Sequence, residues 1–277
     1  MNERKSYPIW ANHAHVFPAG AKPGGEIEHL KALMAECQIE KAVCFACFRD
    51  QYERSGLPGD PVGWLAKAIR DDDSLIGFGT VDFDREDITY QVERIAALGM
   101  KGIKIHPAAQ EINVMGDKAR QVYEAAQREG LFLSFHTGIH WHRISDYNLL
   151  LFDEVAWHYP ELKFSMEHIG GYHFFREALA VMCNAKRNSE EDTVFAGWTS
   201  VAMGEDGLPG EWSLTDDELR TVIRQTGPTR SIFGLDFPYK HAAQTKAAIE
   251  RILSLDISEE AKEGVLGGNL RKALKMN

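Results

Sequence analysis

The first chemistry in the chain is a pair of histidines two residues apart, His13 and His15, at the end of the apolar run Ile9–Val16. Residues i and i+2 of a strand point to one face, so both imidazoles reach the same side and can share a cation. His136 and Asp236 close two later apolar runs, and with the pair they offer three nitrogens and one carboxylate oxygen with room for water. That is the donor set of a catalytic zinc or a similar divalent ion. His168 ends another run, and Lys104 and His106, again two apart, end a fifth. Taken singly, His106, His136 or His168 reads as a buried polar residue satisfied by its neighbours. Converging with a carboxylate on one pocket, they read as a metal site with acid–base groups beside it.

Such convergence needs a scaffold that brings these ends together. Strand-like runs occupy Ile9–Val16, Lys41–Phe48, Leu75–Phe83, Gly102–His106, Leu131–His136, Leu162–His168, Val194–Ser200 and Ser231–Phe237. Helical periodicity fills the intervals at Glu26–Cys37, Pro61–Arg70, Ile88–Leu98, Lys118–Arg128, Asp146–Tyr159, Phe174–Cys183, Thr215–Gln225 and Ala242–Leu253, and Ser258–Leu274 closes the chain. Strands alternating with helices predict a parallel sheet with right-handed crossovers. Eight such units over 277 residues give an α/β fold, a single-domain (β/α)8 TIM barrel spanning residues 1–277. No G-x-G-x-x-G follows the first run, which argues against a doubly wound open sheet. Barrel chemistry sits at the C-terminal strand ends, where His13, His15, His106, His136 and His168 all fall. By contrast His29, His158 and His241 lie in helices and loops.

The charge balance, 31 Lys and Arg against 41 Asp and Glu for a net −10, excludes a nucleic-acid binder that relies on a broad basic surface. No run approaches the roughly 18 apolar residues of a membrane span, and MNERKSYPIW lacks the apolar core of a secretory signal, so a cytoplasmic enzyme is expected. Cys44 and Cys47 form a C-x-x-C, but within KAVCFACF they face opposite sides of a strand, away from any helix N-terminus, and read as buried core. Specificity in a barrel is written on the loops after the strands. There Arg49 is a candidate clamp for a carboxylate, with a surface ion pair as the alternative. GIHWHR supplies His140, Trp141, His142 and Arg143 as a floor for an aromatic or cyclic substrate, although Trp141, like Trp198, also fits packing under a lid.

The motifs NHAHVF, GIKIHP, LSFHTG, SMEHIGG, IFGLDFPY and GGNLRKAL occur in an order that resembles the amidohydrolase superfamily, in its amidohydrolase-2 branch, over residues 12–274. The resemblance implies one divalent metal, zinc first with manganese or iron as alternatives, held by His13, His15, His136 and Asp236. His168 is then the free acid–base group, and Asp236 doubles as proton acceptor. By their places at strand ends and on the following loops, Lys104, His106, Arg49, His140 and Trp141 are the expected substrate contacts, with a small anionic substrate inferred from Arg49 and Lys104 and no nucleic-acid or membrane partner; homodimers are a habit of the branch. A carboxylated Lys104 bridging two metals is the alternative metal arrangement. The chain departs from the usual D-x-H-x-H opening because Ala11 stands where the Asp belongs, which bears on support of the ligands more than on the ligands. The expected reaction is hydrolysis of a C–O or C–N bond (lactone, ester or amide) of a small carboxylated compound through a metal-activated water. Alternatives are nonoxidative decarboxylation at the same metal, a metal-independent lactonase, and a catalytically silent binding protein.

Overall fold

The computed structural model describes residues 7–186, 191–205 and 208–276. Eight parallel strands follow one another around a barrel: β1 (Ile9–His15), β2 (Ile39–Phe45), β3 (Leu75–Thr80), β4 (Gly102–Ile105), β5 (Phe132–His136), β6 (Phe164–Glu167), β7 (Val194–Gly197) and β8. The last comes in two pieces. Ser231–Ile232 pairs with β7 and Gly234–Phe237 with β1, so one segment joins the two edges of the sheet. At the break the Phe233 N–H donates to the carbonyl of Val265 in the C-terminal segment, at 2.9 Å.

Amphipathic helices return the chain between strands: α1 (Ile27–Glu36), α2 (Arg49–Glu53), α3 (Pro61–Ala68), α4 (Ile88–Ala97), α5 (Asp117–Glu129), α6 (Leu151–His158), α7 (Phe175–Ala185), α8 (Asp216–Thr226) and α9 (Ala242–Ser254). Their starts carry local signals. Asp60 caps α3 by accepting from Gly63 N–H with Pro61 as the first helical residue, and Thr215 and Glu218 form a reciprocal capping box on α8. The helical layer departs from the sequence expectation in places; α6, expected over Asp146–Tyr159, begins only at Leu151. The loop at Arg49 contains α2, and the helix expected over Ser258–Leu274 is divided into α10 (Glu259–Glu263), a wide turn over Gly264–Gly268, and α11 (Asn269–Ala273). A side chain on Gly267 would meet Trp10 N at 2.6 Å and Pro8 O at 2.9 Å, so the helix opens where it passes the start of β1. Among the described residues, no helix is long and apolar enough to cross a membrane.

The large apolar core lies between strands and helices, and a second cluster fills the lower barrel. Trp10, Val43, Phe45, Ile76, Phe78, Phe132, Phe195 and Ile232 point inward there, and Leu270, Ala273 and Leu274 of the C-terminal segment close the floor. Alternation then places Asn12, Lys104, Ser134, Glu167 and Asp236 one or two layers higher. All five are buried, so the barrel interior changes from aromatic to polar on going toward the C-terminal ends. Cys44 and Cys47 are buried free thiols, both pushed up to about 12 by burial, which fits the core reading of the C-x-x-C.

Candidate metal centre

The strands release their last residues where the polar groups begin. Runs expected to continue to His106, His168 and Ser200 leave the ladder at Ile105, Glu167 and Gly197. Five residues of this region take left-handed backbone, His13 (φ 67°), His168 (φ 67°), Ile169 (φ 49°), Ser200 (φ 62°) and Asp236 (φ 58°), conformations that cost non-glycine residues on the order of 1–3 kcal/mol each and cluster at functional sites. Around His13 the pairing of β1 shifts register against both neighbours. Simple alternation therefore does not bring His13 and His15 together. A bulge does, and it leaves their rings 5.0 Å apart.

His13, His15 and Asp236 each offer a donor atom within 4.8 Å of the other two. His13 Nδ1 meets the Glu167 carboxylate at 3.0 Å, so the proton lies on Nδ1 and Nε2 carries the lone pair. That Nε2 is 3.7 Å from Asp236 Oδ1, whose other oxygen accepts from Ser200 Oγ at 2.6 Å. Two imidazoles and a carboxylate, one imidazole already backed by an acid, suit zinc or manganese. These residues fit a divalent ion. His136 stands just outside the trio. Its Nε2 is 2.8 Å from the carbonyl of Gly138, and its ring stacks on His106 with centroids 3.8 Å apart.

His168 follows β6 directly, with Nδ1 3.0 Å from the Thr199 carbonyl. Its Nε2 is buried without a protein partner, and its ring lies 4.9 Å from His13 and 4.6 Å from His136. Burial, reinforced by Lys104 and the surrounding imidazoles and opposed at His168 by Glu167 and the Thr199 carbonyl, holds His13, His15, His136 and His168 well below the usual imidazole range, so their rings are neutral and able to ligate. Lys104 does not reach solvent; it is 1% exposed with Nζ 3.3 Å from His13 Nε2. Burial lowers its ammonium to about 8, against the pull of Glu167 and Asp236. Asp236 is raised, chiefly by burial, with Ser200 and Lys104 opposing.

A second group, His106, His140 and His142, also places ring nitrogens within 4.8 Å of one another at the rim. His106 Nδ1 accepts the Ala109 N–H at 3.2 Å, which puts the proton on Nε2, a buried nitrogen with no protein partner. This group thus presents a donor inward and suits an acidic oxygen better than a cation. Trp141 is 92% exposed beside it, while Trp198 is fully buried. Arg49 lies on α2, 2.9 Å from Asp82 and 3.0 Å from Glu53, so its guanidinium is engaged away from the centre. Three contributors receive no role from the sequence, although one of them lies inside the motif SMEHIGG. Glu167 anchors His13, Ser200 anchors Asp236, and Trp212 covers His168 and His136 with ring centroids 4.4 and 5.7 Å away. For Glu167 a signal existed: an acidic residue inside the run FSME, on the inward face, demands partners.

The family model described as Amidohydrolase matches residues 19–276. Solved structures share the fold over nearly the whole chain. A 5-carboxyvanillate decarboxylase from Sphingomonas paucimobilis is 16% identical with TM-score 0.71, covering 98% of this chain and 100% of its own. A Pseudomonas putida protein assigned as a 2-pyrone-4,6-dicarboxylic acid hydrolase is 15% identical with TM-score 0.67, covering 98% of each chain. A dihydroxybenzoic acid decarboxylase from Polaromonas sp. JS666, with bound manganese and the inhibitor 2-nitroresorcinol, is 13% identical with TM-score 0.69, covering 98% of this chain and 97% of its own. No curated protein matches the sequence significantly. With the family model spanning nearly all of it, the chain belongs to the amidohydrolase family.

Proposed function

We propose that the protein is a metal-dependent enzyme that removes carbon dioxide, without oxidation, from a small aromatic or cyclic carboxylic acid. The observation that carries this reading is His168: fully buried, fixed through Nδ1, with an unpartnered Nε2 beside the ligand trio. Breaking the bond between carboxylate and ring needs one proton on the ring carbon as the electron pair is left there. His168 Nε2 takes that proton from a substrate hydroxyl or from water and returns it to carbon. As carbon dioxide leaves, the negative charge passes from the carboxylate to the oxygen that gave up the proton. A divalent ion bound by His13, His15 and Asp236, zinc or manganese, supplies Lewis acidity toward a substrate oxygen. Lys104 neutralises an anionic oxygen of the substrate near His13, and the His106 Nε2–H, with His140, receives an outer acid group. Decarboxylases among the similar structures, including one that holds manganese, support this reading over hydrolysis.

One observation favours a second reading. Asp236 is a carboxylate raised by burial and aimed by Ser200, a fit base for water in lactone or amide hydrolysis. The test is to incubate manganese- or zinc-loaded protein with hydroxybenzoic, methoxybenzoic and pyrone carboxylic acids in heavy water. The expected result is carbon dioxide release matched to substrate loss, one deuterium on the product carbon, and at least about a hundredfold slower turnover for His168→Ala. A ring-opened product that takes its oxygen from water, with no carbon dioxide, establishes the hydrolase instead.

A further inference from the structure

Four donors converge on one carboxylate that has no contact with solvent. Glu167 has 0% exposure; Oε1 accepts from Asn12 Nδ2 at 2.8 Å and from Ser165 Oγ, and Oε2 accepts from Thr199 Oγ1 at 2.5 Å and from His13 Nδ1 at 3.0 Å. An ionised carboxylate offers about four lone-pair sites, so all are filled, and a proton on either oxygen would strand a buried donor. The donors come from β1, from β6 and from the residues just beyond β7, which ties the ligand strand to the opposite side of the barrel. Two strand glycines make room for the group. A Cβ on Gly197 would lie 2.6 Å from Glu167 Cδ, and one on Gly234 would lie 1.9 Å from Thr199 Oγ1. Glycine inside a strand weakens it and often marks a close approach, which here is the approach to this carboxylate and its hydroxyl partner.

We infer that Glu167 is a positioning residue for the metal: it holds the proton on His13 Nδ1, so that Nε2 faces the centre with its lone pair. The inference rests on the reading of His13, His15 and Asp236 as ligands. A glutamine in its place keeps the shape, but its amide N–H groups meet donors, and His13 loses the charged acceptor that selects its tautomer. Partners of this kind are typically worth 10–100-fold in metal affinity.

The test compares metal-free wild type with Glu167→Gln, and with Ser165→Ala, which removes a donor to the same carboxylate and leaves His13 its acceptor. Manganese and zinc are titrated in competition with a chromophoric chelator, and nitrogen-15 spectra of labelled histidine report the His13 tautomer without metal. Expected are an Nδ1–H tautomer in wild type, metal binding 10–100-fold weaker in Glu167→Gln, and binding by Ser165→Ala within about threefold of wild type. A Glu167→Gln variant that binds within threefold of wild type overturns the inference. So does an Nε2–H tautomer for His13 in wild type, a measurement that decides the matter even where the variant fails to fold. The underlying metal reading fails differently: His15→Ala and Asp236→Asn would then bind both metals as wild type does, and the inference falls with it. Failure of the inference alone leaves those two impaired and Glu167→Gln intact.

Discussion

Replacing Gly197 by alanine adds one methyl to a strand whose backbone accepts any residue, so its whole effect comes from what that methyl meets. An ideal Cβ there lies 2.6 Å from Glu167 Cδ and 2.6 and 2.7 Å from its oxygens. Nonbonded carbons rest at about 3.5–4.0 Å, so roughly 1 Å has to be found. The carboxylate cannot retreat freely, because Asn12, His13, Ser165 and Thr199 hold it from several sides. Overpacking a tight interior costs about 1–3 kcal/mol, and one charge-assisted hydrogen bond lost in the retreat adds about 1.5–3 kcal/mol. Together these give about 3–6 kcal/mol, which at about 2–4 °C per kcal/mol for chains somewhat shorter than this one lowers the melting temperature by roughly 6–24 °C. Gly99→Ala is the control. Gly99 has φ 79° with nothing within 4 Å of a built Cβ, so that variant suffers only the left-handed penalty of roughly 1–2 kcal/mol. Calorimetry of the metal-free proteins reads both. A Gly197→Ala protein that melts no lower than Gly99→Ala would refute the claim that this carboxylate is immovably seated.

Further outcomes follow from other sites. Lys104→Met removes a buried ammonium at nearly constant volume but leaves the buried Glu167 and Asp236 without that charge, so turnover and melting temperature both fall; a variant with full turnover contradicts the substrate role. Burial pushes the Asp60 carboxyl up, but the Arg94 guanidinium and the Gly63 N–H outweigh it and hold it below the usual carboxylate range. Its contribution to stability is therefore complete above its unfolded-state value, near about 4, and is lost as pH falls through the lower folded value. Asparagine keeps the cap but loses the partly exposed ion pair with Arg94, so urea unfolding should show Asp60→Asn less stable by roughly 0.5 kcal/mol from pH 5 to 8, with the gap closing below pH 4; a gap independent of pH rejects the charge argument. With both thiols held near 12, Cys44 and Cys47 should resist a disulfide reagent at pH 8 in the native state, and all four cysteines of the chain should react after unfolding. Rapid native labelling of the pair would disprove their burial.

The barrel was legible because its information is periodic and local: short buried runs alternate with amphipathic segments, and each run ends near a residue able to do chemistry. The interruptions were not. Phe233 breaks β8 because its N–H goes to Val265, and the last helix opens at Gly267 because Trp10 and Pro8 pass against it; both depend on segments distant in sequence. The centre divides along the same line. His13, His15, Lys104, His136, His168 and Asp236 could be named from residue type and position, yet the alternation that predicts a shared face for the first pair gives way in the structure to a left-handed bulge at His13. What holds that bulge is a carboxylate on another strand. The substitution of Ala11 for the usual acid pointed to weaker support of the ligands, and the structure supplies an acid from β6 instead. No short-range pattern encodes that exchange. An acid in β1 can be seen beside its histidine in the sequence, whereas Glu167 lies 154 residues away and meets His13 only because glycine at positions 197 and 234 lets the interior close around it. For a site like this one the informative residues are therefore the inward-facing polar and glycine positions of the strands opposite the ligands, as much as the ligands themselves.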